Sequence, residues 1–234
     1  VTAARAQILA GIRRSLQRDA LPADRAADLD ARLAAPPRGL VPARSAGLDR
    51  AGLLALFERQ AQAVACSVAR VAAYDAVPEA MLAYLKSQNL PAAVEMSPDP
   101  TLDRVPWDKA KLLSIARGAP SGAEGVGVTA AFAAVAETGT LLIHSGSDSP
   151  ATLNFLPDTH VVVLPASRVV AALEDAWDRL RAAGSAPVVG AAMPRTINLI
   201  TGPSRTGDIE QKIEMGAHGP RRLHLIVVED DAAG

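Results

Sequence analysis

From Ser67 onward the chain alternates short apolar runs with amphipathic stretches, and this rhythm most tightly limits what it can fold into. Apolar runs bounded by turn residues read as buried strands. Strands separated by helices are too far apart in the chain to pair as hairpins, so they line up in parallel with the helices packed on the sheet faces. Ser67–Ala73, Ala92–Met96, Val161–Leu164 and segments near 197–201 and 223–229 are strands on this reading. Pro78–Ser87 is a helix with proline in its first turn, and a second helix runs from Ser167 as its cap to about Ala182, closed by Gly184. That second helix turns Val170, Leu173, Ala176, Trp177 and Leu180 toward the core. Lys111–Ile115 is apolar without a deciding period. Phe132–Glu137 and Thr140–His144 flank Thr138-Gly139, the form of a tight β-hairpin. The predicted fold class is α/β, an open, mainly parallel sheet flanked by helices and carrying one antiparallel hairpin.

The first third is rich in Ala, Arg and Leu. Helices are expected over 3–18, with Ile8, Ile12 and Leu16 on one face, and again before Pro36-Pro37. Val41–Ser45 reads as an extended linker. A stronger helix from about Asp49 to Val64 carries Leu53, Leu56, Phe57 and Val64 inward. Residues 1–45 are therefore taken as an N-terminal helical extension and 46–234 as the α/β domain.

Composition excludes several function classes. With 49% hydrophobic residues a large core is available, yet no run approaches the length of a membrane span. A formal net charge of −1 provides no field to draw nucleic acid or anionic lipid, and aromatics at 3% leave few platforms for stacking bases. Cys66 is the single cysteine, so this sequence forms no internal disulfide and cannot ligate an iron–sulfur cluster by itself. Set among Val64, Ala65 and Val68 it reads as a small core residue, and a reducing cytoplasm is the expected compartment. Arg5, Arg13, Arg14 and Arg18 stand without the long apolar stretch of a secretory signal.

The strongest candidate site is Thr201–Glu210, a polar loop leaving the apolar run Ile197–Ile200. Gly202, Ser204, Arg205, Thr206 and Asp208 offer backbone N–H groups, two hydroxyls and a guanidinium fork suited to a carboxylate or phosphate. It is not a phosphate-binding Walker loop, because Gly-Lys-Ser/Thr is missing and Pro203 removes a donor. Its structural alternative is a turn at Thr206-Gly207 followed by a short helix boxed by Asp208 and Gln211. The second candidate is Glu137-Thr138-Gly139-Thr140, where an acid at a hairpin corner amid Ala and Val is disfavoured unless paired or exposed. Desolvation would suit Glu137 to acid–base work or nucleophilic attack, whereas the turn alone needs only glycine's φ freedom. His218, between Gly216 and Gly219-Pro220, is either a general base or a loop histidine bonded to backbone. His144, His160 and His224 sit at or within strands and read as structural, and no metal-ligand spacing is present. Gly125-Val126-Gly127-Val128-Thr129-Ala130 matches a dinucleotide fingerprint but lacks the preceding strand. Ser145–Pro150 reads as a surface loop.

Taken in order, Ala136-Glu137-Thr138-Gly139-Thr140, Leu156-Pro157 with His160, Gly202-Pro203-Ser204-Arg205-Thr206 with Asp208-Ile209-Glu210, and His218-Gly219-Pro220 resemble the LUD-domain family across roughly residues 124–230. The resemblance implies a fold of the NagB/RpiA/CoA-transferase group. It also implies a part in oxidising L-lactate to pyruvate, with iron–sulfur clusters carried on separate partner subunits. In the site then expected, Arg205 clamps a small anion, Ser204 and Thr206 hydrogen-bond it, His218 moves a proton and Glu137 is the second acid. Two other classes stay open: a free-standing enzyme acting on a CoA ester, sugar phosphate or nucleotide with Glu137 as nucleophile, and a non-catalytic assembly subunit.

Overall fold

A computed structural model describes residues 3–17, 21–120, 125–184, 194–209 and 212–230, with Asp208 and Ile209 defined by backbone alone. In chain order the described elements are α1 (Ala3–Ser15), α2 (Ala23–Ala34), α3 (Arg50–Ala63), β1 (Ser67–Val71), α4 (Val77–Ser87), β2 (Ala93–Met96) and the single turn α5 (Pro100–Asp103). There follow β3 (Ser114–Arg117), β4 (Val126–Ala130), β5 (Ala133–Val135), β6 (Thr140–His144), β7 (Thr159–Pro165) and β8 (Val169–Val170). The chain closes with α6 (Leu173–Ala183), β9 (Ile197–Ile200), β10 (Arg205–Ile209), β11 (Lys212–Met215) and β12 (Arg222–Val228).

The expected parallel sheet is present, with six strands in the order β1-β12-β7-β4-β2-β3 and every pairing parallel. Its centre is buried on both faces, which explains why β7 and β12 are almost unbroken apolar runs rather than alternating ones. One face carries Val94, Met96, Val128, Val161, Val163 and Ile226 against Val77, Met81 and Leu85 of α4. The other carries Val162, Leu164, Leu225 and Val227 against Leu54, Leu56, Phe57 and Ala61 of α3. Asp49 starts α3 by accepting a 2.8 Å bond from the Gly52 N–H.

Several expectations are corrected. The hairpin forms, pairing Ala133–Val135 with Thr140–Leu142, but it belongs to a second, four-stranded sheet ordered β8-β5-β6-β9. The 197–201 segment joins that sheet antiparallel to β6 and does not extend the parallel one. The helix expected from Ser167 begins only at Leu173. Ala166–Arg168 is a 3-10 turn, and the β-branched pair Val169-Val170 adds a strand beside β5. Ser167 is held elsewhere, its N–H and hydroxyl both donating to the Asp230 carboxylate at 2.8 and 2.7 Å. The Ala172 N–H at the helix entrance instead donates to Asp175 at 2.9 Å. Of Lys111–Ile115 only Ser114 and Ile115 enter a strand, the edge strand β3, and Val126–Ala130, which matches a dinucleotide fingerprint in sequence, is a fully buried central strand. It therefore offers no phosphate-binding turn.

The helical short-segment alternative for 208–211 is overturned too. Arg205–Ile209 pairs antiparallel with Lys212–Met215 as a two-stranded ribbon with a register shift between Thr206 and Ile209. Glu210 and Gln211 lie outside the described residues. The supposed linker at 41–45 is a run of turns, with Ser45 buried and bonded to the Pro42 carbonyl. Helices α1 and α2 bury no residue, so Ile8, Ile12 and Leu16 form an exposed face. Arg38, just beyond α2, pairs with Asp175 and Asp178 of α6.

Candidate functional site

The loop after β9 and the loop before β12 meet at Ser204. Its N–H donates to the Pro220 carbonyl at 2.8 Å, its carbonyl accepts from the Gly216 N–H at 2.8 Å, and its Oγ accepts from the His218 N–H at 3.3 Å. The two segments singled out in the sequence thus form one structure. The Ser204 N–H, however, is spent inside it rather than offered to a ligand. Gly219 packs on Ser204, where an added Cβ would lie 3.4 Å from the serine Cβ. Gly202 sits at φ +81° with its α-carbon pressed onto α3's end, and a Cβ there would fall 2.4 Å from the Val64 carbonyl. Its place in the sequence pattern is therefore explained by chain packing.

These loops wall a pocket of about 230 Å³ at the amino ends of β7 and β12. Thr201, Gly202, Ser204 and His218 form one side, the carboxyl end of β9 a second, and the turn before β7 a third. Two polar lining residues, Asn154 and His160, are not site residues on the sequence reading. Asn154 is 2% exposed, and neither its Oδ1 nor its Nδ2 has a hydrogen-bond partner among the described residues. An amide side chain buried with both ends unmet costs on the order of 1–3 kcal/mol per group, so such a residue calls for a ligand or solvent partner. His160, 1% exposed, shares a 2.7 Å bond with Thr129 through Nε2, and burial lowers its pKa to about 3. It is a neutral imidazole built into the pocket wall. The only sequence signal for Asn154 is a lone amide inside Leu153-Asn154-Phe155-Leu156, too common a pattern to single out.

The remaining predicted residues stand apart. Glu137 is 6% exposed; its Oε1 accepts from the Leu173 N–H at 3.2 Å, and its Oε2 is buried without a partner among the described residues. That places its charge at the positive end of α6 and outside the pocket lining. Thr138, Thr140 and Thr201 form a chain of hydroxyls, each link 2.7 Å, which ties the hairpin to the pocket through Thr201. Gly139, at φ +67°, packs against α3, where a Cβ would meet the Ala61 nitrogen at 2.5 Å. Arg205 and Thr206 lie on the ribbon, Arg205 exposed, and neither lines the pocket. Asp208 is placed by its backbone in the same ribbon. Burial pushes the Cys66 thiol up to about 11 despite the Gly202 backbone contact and the Arg205 charge, so it is a core residue in chemistry as well as position. His224 is likewise structural, bonded to Ser67 and stacked on Tyr84 with ring centroids 3.8 Å apart.

Among the described residues no three His, Cys, Asp or Glu side chains gather to hold a metal ion. No described helix is long and apolar enough to cross a membrane.

The LUD domain family model matches residues 54–228, well over half the chain. Lactate utilization protein C of Geobacillus thermodenitrificans is 36% identical over 105 residues, 45% of this chain and 42% of that protein. The Bacillus subtilis protein of the same name is 35% identical over 105 residues, with the same two shares. That of Macrococcus caseolyticus is 34% identical over 127 residues, 53% of this chain and 52% of that one. The chain thus spans about half the length of the curated relatives it matches. A solved structure, described as a DUF162 family protein from Deinococcus radiodurans, superposes with a TM-score of 0.55 at 22% identity. It covers 77% of this chain and 99% of that one, and supports the α/β fold.

Proposed function

Since the chain belongs to the LUD domain family, we propose that it is a component of a system oxidising L-lactate to pyruvate beside separate iron–sulfur subunits, and that the amino-end pocket binds the small organic anion. The naming of its relatives supports the lactate role. The observation that carries the pocket assignment is Asn154, a buried carboxamide with donor and acceptor both unmet among the described residues, which lines the same small pocket as Ser204 and His218.

A 2-hydroxy acid presents a carboxylate and a hydroxyl on adjacent carbons. An amide matches that pair through Nδ2, whose two N–H groups donate to a carboxylate oxygen and to the hydroxyl oxygen, leaving the hydroxyl proton free to move. Ser204 and Thr201 add hydroxyl donors, and Leu199, Pro203 and Leu223 supply an apolar wall for the methyl group. His218, exposed at the mouth, receives the hydroxyl proton. Arg205, one residue past Ser204, supplies positive charge at the rim, with Thr206 and Asp208 in the ribbon beside it. Glu137 acts from behind, fixing α6 and the hairpin whose threonine hydroxyls reach Thr201. With its single thiol buried and protonated, this chain binds and orients, while both electrons of the Cα–H bond, and its hydrogen as a proton, leave to the iron–sulfur subunits. A cytoplasmic setting and a NagB/RpiA/CoA-transferase type of core belong to the same proposal.

The test is reconstitution of the intact chain with its iron–sulfur partners, reading lactate-dependent reduction of a dye. Ser204→Ala and His218→Ala should each lower the rate while leaving complex formation intact. Full activity without this chain, or full activity with both variants, contradicts the proposal.

A further inference from the structure

Strands β2 and β4 are neighbours in the parallel sheet, with Glu95 beside Gly127 and Met96 beside Val128. The chain leaves β2 for β3 on one side, and from β4 it passes through β5 and β6 of the second sheet before returning as β7 on the other. A crevice opens outside the carboxyl ends of two parallel strands whose connections diverge in this way, and open α/β sheets bind ligands there. In this protein the position holds a pocket of about 210 Å³, distinct from the amino-end pocket. Asp99, Thr101, His144, Asp148, Ser149 and Arg168 supply its polar lining.

The lining is organised around Arg168. Its guanidinium donates to the Ala131 carbonyl at 2.6 Å and to Thr101 Oγ1 at 2.8 Å, so it bridges the turn after β4 and the α5 turn that follows β2. A guanidinium has five N–H donors, and these two bonds leave three. His144 presents an Nδ1 that is buried and has no partner among the described residues, with its ring tilted on Phe132. Asp99 uses one oxygen to cap Thr101 at 2.7 Å, and Asp148 joins the lining from the loop after β6. Arg179 lies behind Phe132, 5.9 Å from the ring centroid, and adds positive charge from the α6 side.

The geometry points to a second ligand site in this crevice, taking a small hydroxylated anion whose acidic group pairs with Arg168 and whose hydroxyls meet Asp99, Asp148 and His144. A planar fork already held by two protein acceptors is pre-set for a carboxylate or phosphate. The two carboxylates in the same lining accept from hydroxyl groups and repel a second anionic group. An anion bearing a diol fits this arrangement, and a dianion lacking hydroxyls does not. The inference stands independently of the lactate pocket, since the two linings share no residue.

Glycerate and glycerol 3-phosphate carry the same kind of diol on a carboxylate and on a phosphate, so titrating the intact, isotope-labelled chain with each distinguishes the two acidic groups. The expected result is saturable amide shifts with one of them, grouped at Ser97–Thr101, Ala131–Phe132 and His144–Ser149. Arg168→Lys keeps the charge but loses the fork, and should weaken that binding about tenfold. Asp148→Asn, on the surface loop, gives a second reading without touching the bonds of Arg168, and should weaken it severalfold. Ser204→Ala should leave it unchanged. No saturable shift with either compound, shifts confined to Ser204 and His218, or equal affinity in both crevice variants would overturn the assignment.

Discussion

The two ends of the parallel sheet are built on opposite electrostatic plans. At the amino ends of β7 and β12 the pocket is lined by uncharged hydrogen-bonding groups, Asn154, Ser204, Thr201 and the neutral His160, with His218 at the mouth. At the carboxyl ends of β2 and β4 the lining is ionic, with Arg168, Asp99 and Asp148 in one pocket. The difference teaches what each can select. Buried neutral groups discriminate by leaving an amide or hydroxyl unpaired when the ligand lacks the matching atom, whereas a held guanidinium fixes charge and orientation.

Acid should break the amino end first. His160 and His224 are held neutral by burial, with pKa lowered to about 3 and about 4. In the unfolded chain each titrates near the ordinary ~6.5. Their contribution is therefore full above that pH and is lost as pH falls toward the folded values, because the unfolded chain takes up protons the native one refuses. The slope is about 1.4 kcal/mol per pH unit for each imidazole, or roughly 4 kcal/mol for the pair between pH 7 and 5. Urea midpoints across that range measure it, and His160→Gln should remove about half of the slope.

A steric break comes next. Gly202→Ala puts a Cβ against the Val64 carbonyl at a positive φ and should cost about 3 kcal/mol in denaturant stability. Ligand binding in the carboxyl-end crevice should persist in whatever fraction remains folded. Asn154→Leu then separates binding from stability. Replacing an unmet buried amide by an apolar side chain of similar size should leave the thermal midpoint unchanged or raised, while lactate affinity falls about tenfold. A lower midpoint with unchanged affinity would make Asn154 a packing residue. The smallest effect is ionic: salt should weaken binding at Arg168 a few-fold more than binding at Asn154, as seen in titrations at low and high ionic strength.

How far the sequence could be read follows the same divide between pattern and geometry. Strands buried on both faces, such as Thr159–Pro165 and Arg222–Val228, are near-continuous apolar runs, so the parallel sheet was legible. β4 was not, because Gly125, Gly127 and Thr129 break its run and imitate a phosphate turn. In the fold Gly127 is needed where Pro157 and the Leu153 carbonyl press on the strand. β8 was absorbed into a helix because Val169-Val170 continues the apolar spacing of the following turn, and only pairing with β5 settles it. Ser204 and His218 were readable as a site because loop glycines and prolines announce them. Arg205 drew notice for the same reason, yet its exposure on a ribbon depends on a strand pairing that no local pattern encodes. Asn154 and Arg168 gain their meaning from neighbours distant in the chain, such as Thr101 and Ala131 for Arg168.

A crystal structure of the intact chain soaked with L-lactate tests the central claim most directly. Lactate is expected in the amino-end pocket, its carboxylate and hydroxyl on the Asn154 amide and its hydroxyl within reach of His218. Lactate seated on Arg168, or an empty amino-end pocket at saturating lactate, would contradict it.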